Sequence, residues 1–353
     1  MTTKATTTLE SEIEKFLRER DAIRVGFATL GTLAGGPPSV DLSYVLPEAR
    51  SAISYALPFD KEKIRDFLSK KDFQGHQKDR FELNLRSARI SKELAKWLEA
   101  KGFASKRVYP NLIYRREISD WPFIMPPDLC HRYIAVRSGV GSFGWSGNVG
   151  IKGYGTKIHL GTVVTVAELE PTDPIPPEES FCTKCKLCVA ACSAGMFDKR
   201  EETTVTMGGE TFSYSKRKNI IRCQYVCGGF TGLNRSGKWS TWSPGRFEIP
   251  EDEKELADIF FQAIEKYKEW PQRTDGAVSF ENPALPGVNI GITCGMCQNI
   301  CWGSEEDTRE NYRLLTNSGC VLQRENGNII VLPPDEAQKV FDEFPPEHRR
   351  KYC

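Results

Sequence analysis

Long apolar runs, charge of one sign and histidine are what this 353-residue sequence has little of. No apolar run approaches the roughly 20 residues that cross a bilayer. The 48 Lys and Arg stand against 47 Asp and Glu, a net charge of +1. That balance supplies no general positive surface for a phosphate backbone and argues against a nucleic-acid binder. The opening segment, MTTKATTTLESEIEKFLRER, holds neither an apolar signal core nor a twin-arginine pair. Export and membrane insertion are therefore not expected, and the cytoplasm is the expected location. Hydrophobic residues at 39% and charged residues at 27% fit a soluble globular chain.

Along the chain, residues 9–20 read as a charged helix, and 23–30 and 51–59 as short strands. Residues 79–101 have helical spacing, with Phe81, Leu85, Ile90, Leu94 and Leu98 expected along one face. A glycine- and aromatic-rich stretch, 107–169, ends in a strand-like run. The proline-rich EPTDPIPPEE (170–179) is a candidate linker. A cysteine-rich region covers 182–301, and NIIVL (328–332) is a further strand. Trp239, Trp242 and Phe247 could line a channel, but a packed loop is the expectation.

Cysteine is abundant, at 12 residues. In a reducing compartment such clustering points to metal or redox chemistry rather than disulfides. CTKCKLCVAAC (182–192) has the spacing C-x2-C-x2-C-x3-C, and CGMCQNIC (294–301) partly repeats it. An iron–sulfur cube needs four thiolates at four corners. A C-x2-C-x2-C loop supplies three, while the fourth cysteine of the run serves the other cluster, as in two-cluster ferredoxins. This logic gives Cys182, Cys185, Cys188 and Cys301 to one [4Fe–4S] cluster. It gives Cys192, Cys294 and Cys297 to a second, closed by Cys223 or Cys227, with Cys223 preferred. Structural zinc prefers paired C-x2-C knuckles around one four-ligand site, which matches the spacing less well. Ser193 and Trp302 stand where ferredoxin motifs carry proline. Cys130, Cys320 and Cys353 are expected to be small buried hydrophobes or free thiols.

The segment GWSGNVGIKGYGTKIHLGTVVTVAELEPTDP, followed by CTKCKLCVAAC, IIRC and CGMCQNICW, resembles the cobalamin-dependent superfamily of reductive dehalogenases and epoxyqueuosine reductases. The likeness covers about residues 130–303. It implies an α+β fold, with a nitroreductase-like cobalamin-binding domain over 1–175, a ferredoxin-like two-[4Fe–4S] module over 176–310 and a C-terminal extension over 311–353. It also implies a base-off corrinoid. In keeping with that, none of the four histidines lies in the D-x-H-x2-G pattern of methyl-transferring corrinoid proteins. Gly144, Gly147, Asn148, Gly150, Lys152 and Gly161 are the residues the resemblance implies for the corrinoid.

A cobalt centre that cleaves a bond reductively needs a proton source. Epoxyqueuosine reductases carry D-S-x-P-x-x-E-R before the glycine segment. Here Met125 falls in the aspartate slot, His131 replaces the glutamate and Arg132 matches the arginine. Dehalogenases use a supported tyrosine. Tyr114, His131 and Asp128 are the candidate acids, with Arg115, Arg116, Tyr133 and Asn148 as possible supports. The expected function is a reductive dehalogenase-like reductase of a small, halogenated or similar electrophile. Its electrons would come from an external low-potential donor such as ferredoxin or flavodoxin. An epoxyqueuosine reductase acting on tRNA and a non-catalytic electron-transfer or corrinoid-reducing protein are the alternatives.

Overall fold

The computed structural model describes residues 8–110, 113–276, 279–282 and 285–353. The first seven residues of the expected 1–175 unit lie outside them. Helix α1 (Leu9–Arg18) is capped by the Thr8 hydroxyl, which accepts from the Ser11 N–H at 3.3 Å. Strands β1 (Arg24–Thr29) and β2 (Ser51–Pro58) follow. Then come helices α2 (Lys61–Leu68) and α3 (Gln74–Ala100), strand β3 (Ser105–Arg107), helix α4 (His131–Arg137) and strand β4 (Ile158–Thr165). The four strands form an antiparallel sheet in the order β1-β2-β4-β3, with Ser51 opposite Thr165 and Tyr55 opposite Gly161.

The sheet is covered on both faces, which explains why β2 is buried along nearly its whole length rather than at alternate residues. Ile13 and Leu17 of α1 and Leu83, Ile90, Leu94 and Leu98 of α3 pack on one face. Ile134, Ala135 and Val136 of α4 pack on the other. Helix α3 departs from the expected face. Phe81 and Leu85 are exposed, and the buried line runs Leu83, Ser87, Ile90, Ser91, Leu94, Leu98. The two serines sit on an apolar stripe because the buried Tyr55 hydroxyl donates to the Ser87 carbonyl and meets Ser91 Oγ, both at 2.8 Å.

Opposite Tyr55, a Cβ on Gly161 would lie 2.2 Å from the tyrosine ring. The ring fills the place a side chain would take, so Gly161→Ala is expected to cost about 1–3 kcal/mol through overpacking. Thermal denaturation measures this; an unchanged midpoint would show that Tyr55 can move.

Past residue 169 the expected linker runs exposed but is pinned, with Thr172 Oγ1 accepting from the Phe27 N–H at 2.8 Å. Next come helix α5 (Leu187–Ala190), the hairpin β5 (Phe197–Met207) and β6 (Glu210–Arg217), and helices α6 (Ile220–Cys227) and α7 (Glu253–Tyr267). Helices α8 (Met296–Asn299) and α9 (Glu305–Thr316) and the pair β7 (Cys320–Gln323) and β8 (Ile329–Leu332) complete the parts used below. Cores cross residue 175. Val205 and Met207 of the hairpin pack with α4, and Phe67 and Phe73 pack with Trp242, Met296 and Trp302. Trp239, Trp242 and Phe247 are buried in these clusters, as a packed loop requires. No helix among the described residues is long and apolar enough to cross a membrane.

Candidate metal centre

The loop 182–188 is shaped by two lysines in the left-handed region, Lys184 at φ 55° and Lys186 at φ 60°. Such values are uncommon away from glycine, and they curl the chain between its cysteines. Cys182, Cys185 and Cys188 thereby line one space, which Cys301 closes from beyond the end of α8. The Trp145 N–H points at Cys182 Sγ from 3.3 Å. Burial, together with the neighbouring thiols, pushes the Cys188 thiol up to about 12.

A second group lies beside the first. Cys297 has Cys192, Cys223 and Cys294 around it and Cys188 of the first group close by. Cys192 faces Cys294 and Cys223 and receives the Met196 N–H at 3.4 Å. Cys227, one turn from Cys223 on α6, lies 3.7 Å from it and next to Cys294. Among the described residues no three His, Cys, Asp or Glu side chains converge on a point where a single ion could sit. Cys130 and Cys320 are buried and Cys353 is exposed.

Sequence reasoning missed the charge around these groups. Arg80 is half-buried beside Cys227 and Cys294, Lys70 is 7% exposed and near Cys294, and Arg217 is half-buried near Cys297 and Cys223. Their bonds go to neutral acceptors: Lys70 Nζ to Ser318 Oγ at 2.7 Å, Arg80 Nη1 to Gln77 Oε1 at 3.3 Å and Arg217 Nε to the Ser146 carbonyl at 2.9 Å. Near Cys301, the buried Lys157 has no hydrogen-bond partner for Nζ and lies 2.9 Å from the centre of the Trp302 ring. Burial holds the Lys70 amine down at about 7 and the Lys157 amine down at about 6, and among the described residues none of Lys70, Arg80, Lys157 and Arg217 forms an ion pair with a carboxylate. The pattern is not visible in sequence because Lys70, Arg80, Lys157 and Arg217 come from four separate segments.

The residues named for a corrinoid meet the chain itself. A Cβ on Gly144 or Gly150 would strike the Phe181 ring, at 2.8 and 2.6 Å, and one on Gly147 would strike Tyr214 at 2.7 Å. Gly161 meets Tyr55, as described. Asn148 Nδ2 points toward Cys297 Sγ at 3.9 Å, and Lys152 is exposed.

Of the candidate acids, Tyr114 bridges to Pro127 and packs against Trp121, and burial raises its pKa. Asp128 is buried near Lys106 and Arg115. Burial raises its carboxyl, while the Leu129 N–H, donating to Oδ1 at 2.7 Å, works against that rise. His131 shares a 2.7 Å hydrogen bond with Thr162 on β4, and burial, with His159 adding to it, holds its pKa down at about 3. Asp128 and His131 thus have different surroundings. Met125 touches Gln224 of α6, which brings the loop before α4 onto the second cysteine group.

No family model matches the chain, and no curated protein matches it. Solved structures do match, among them reductive dehalogenases and epoxyqueuosine reductases. The catabolic reductive dehalogenase NpRdhA aligns at 14% identity and a TM-score of 0.47, over 64% of this chain and 30% of its own. Epoxyqueuosine reductase from Streptococcus thermophilus aligns at 18% and 0.37, over 57% and 55%. The Bacillus subtilis enzyme aligns at 20% and 0.36, over 65% and 59%. The chain therefore spans about a third to somewhat over half of the length of these neighbours. With TM-scores below 0.5 they carry no argument about its chemistry.

Proposed function

We propose that the chain is a reductase that carries electrons through two [4Fe–4S] clusters. Cys182, Cys185, Cys188 and Cys301 would hold one, and Cys192, Cys223, Cys294 and Cys297 the other. The observation that carries this reading is the gathering of the cysteines into two groups, beside buried Lys70 and half-buried Arg80 and Arg217 that have no acidic partner among the described residues. An unpaired buried charge is costly. A cube bound by four thiolates is an anion and would supply the missing partner. A cube places each thiolate on its own iron around a shared space and so asks for four thiols per cluster, which two groups of four supply. The proposed layout keeps a nitroreductase-like unit over 1–175, a ferredoxin-like unit over 176–310 and an extension over 311–353, with hydrophobic cores shared across the first boundary.

The finer reading is a cobalamin-dependent, reductive dehalogenase-like enzyme acting on a small electrophile, fed by an external low-potential donor such as ferredoxin or flavodoxin. The six residues implied for the corrinoid do not fit a cradle for it, because aromatic rings of the chain occupy the space at Gly144, Gly147, Gly150 and Gly161. That filled face favours a second reading, an electron-transfer protein that reduces a partner's cobalamin. Anaerobic reconstitution with iron, sulfide and cobalamin separates the two. Stoichiometric cobalamin binding with turnover of halogenated aromatics or alkenes supports the enzyme. Cluster loading without cobalamin binding supports the carrier. Turnover of epoxyqueuosine tRNA far above any small molecule would replace both.

For an enzyme, the proton is best held at Tyr114 Oη. Burial keeps that hydroxyl protonated across the neutral range, whereas His131 stays a neutral imidazole. Tyr114→Phe is expected to lower the rate about a hundredfold with iron content unchanged, and His131→Asn is expected to leave no missing limb in the pH–rate profile. A larger loss in Asp128→Asn would move the assignment to Asp128.

A further inference from the structure

The two cysteine groups differ in their electrostatic surroundings. Loop 182–188 is half exposed, and its lysines are already engaged: Lys184 pairs with Glu202 at 3.0 Å and Lys186 donates to the Lys199 carbonyl at 2.9 Å. Helix α9, whose Thr308 lines the same space, opens with Glu305, Glu306 and Asp307. Lys157 lies over Trp302, with Lys61 and Arg65 near the same ring and Asp307 within its field. Positive and negative charge are therefore mixed around the first group, and much of it is open to screening by solvent.

The second group is different. Lys70 comes from just past the end of α2, Arg80 from α3 and Arg217 from the end of β6, and each lies near cysteines of this group. None has a carboxylate partner among the described residues, and all three bond to neutral oxygens. Lys70 is buried and Arg80 and Arg217 are half-buried, so their charges act at a lower effective dielectric than those of fully exposed side chains. Cluster charge and its surroundings are among the levers that set an iron–sulfur potential. Reduction adds one negative charge, so the two guanidinium cations, and Lys70 in its protonated form, favour the reduced form.

We infer that Lys70, Arg80 and Arg217 are the counter-ions of the cluster held by the second cysteine group and set its reduction potential above that of the first. The inference rests on the two-cluster reading. Its consequence is a direction. A low-potential one-electron donor reduces the cluster nearer the surface. One electron then leaves that reduced cluster and enters the oxidised second one, with no bond made or broken and no proton required. Cys188 and Cys297, near one another, put the two groups side by side for that transfer.

The test is an EPR-monitored redox titration of the anaerobic, iron-loaded full chain, with iron counted first. Wild type should show two potentials, and the higher signal should be the one that Cys297→Ser removes. Arg217→Met should lower that potential by at least the equivalent of a tenfold change in its reduction equilibrium, about 59 mV for one electron. The other potential should stay where it was, and Arg217→Lys should recover most of the shift. If Arg217→Met fails to load, Arg80→Met and Lys70→Met carry the same expectation. Equal shifts of both clusters, no shift, or a higher potential at the first group would overturn the inference while leaving the two-cluster reading intact. A wild-type count far from about eight irons would instead remove the cluster reading itself, and the inference with it.

Discussion

Cys301→Ser should remove about four of about eight irons, and Cys223→Ser should remove the other four. Cys227→Ser should keep all eight. The first expectation rests on the space lined by Cys182, Cys185 and Cys188, for which Cys301 is the remaining thiol. Its backbone is held in place as well, the carbonyl accepting from the Thr156 N–H at 3.1 Å. The second expectation separates two cysteines on one short helix. Cys223 lies within the field of Cys192 and of Cys297, whereas the strongest interactions of Cys227 are with Cys223 and Cys294. A thiol that does not face the rest of its group cannot occupy a corner of the cube. Iron and sulfide analysis of the three variants after anaerobic reconstitution decides the matter. A Cys227→Ser protein with half the iron, beside a fully loaded Cys223→Ser protein, would exchange their roles. Stoichiometric zinc in place of iron would sink the assignment.

The grouping of the cysteines was readable because the chemistry dictates spacing. Three thiolates from one tight loop force C-x2-C-x2-C, and that pattern survives any change of surrounding fold. Strands β1, β2 and β4 were readable for a similar reason, since short apolar runs between turns have few other uses. The face of α3 was misread at Phe81 and Leu85. Burial there is set by the Tyr55 hydroxyl, which needs Ser87 and Ser91 as partners, and a hydrophobicity pattern does not register a serine that is buried to satisfy another polar group. The glycines of 144–161 illustrate a second limit. Glycine in sequence says only that something comes close. What comes close here is Phe181, Tyr214 and Tyr55, residues that sequence does not connect to them. The four cations could not be foreseen at all, because a balance of 48 against 47 conceals which charges are buried without partners.

The protein should lose stability steeply below pH 6. Three of its four histidines are buried in the neutral form. Burial holds His76 at about 3, with Arg80 and Lys157 adding to it. It holds His131 at about 3, with His159 adding, and His159 at about 4, with Arg80 adding. The ordinary value is near 6.5. Between that value and the depressed ones, the unfolded chain binds protons that the folded chain cannot, so stability falls as pH falls through this window. Each histidine contributes about 1.4 kcal/mol per pH unit once the pH is well below 6.5, and three contribute about 4 kcal/mol per unit. Against a typical total of about 5–15 kcal/mol, two units remove about 8 kcal/mol, a large share of it. Asp79 and Asp128, whose carboxyls are raised by burial, work in the opposite direction at the acid end but do not match three imidazoles. Lys70 and Lys157, held down at about 7 and about 6 by burial, already make stability fall with pH above 6, so thermal denaturation from pH 8 to pH 4.5 should show a fall that steepens below pH 6. His159→Phe removes one titrating ring from beside Phe59 and should reduce the slope of that fall by about a third. A wild-type midpoint that stays level to pH 4.5, or a His159→Phe slope no shallower than wild type, would show that these rings take up protons without opening the fold.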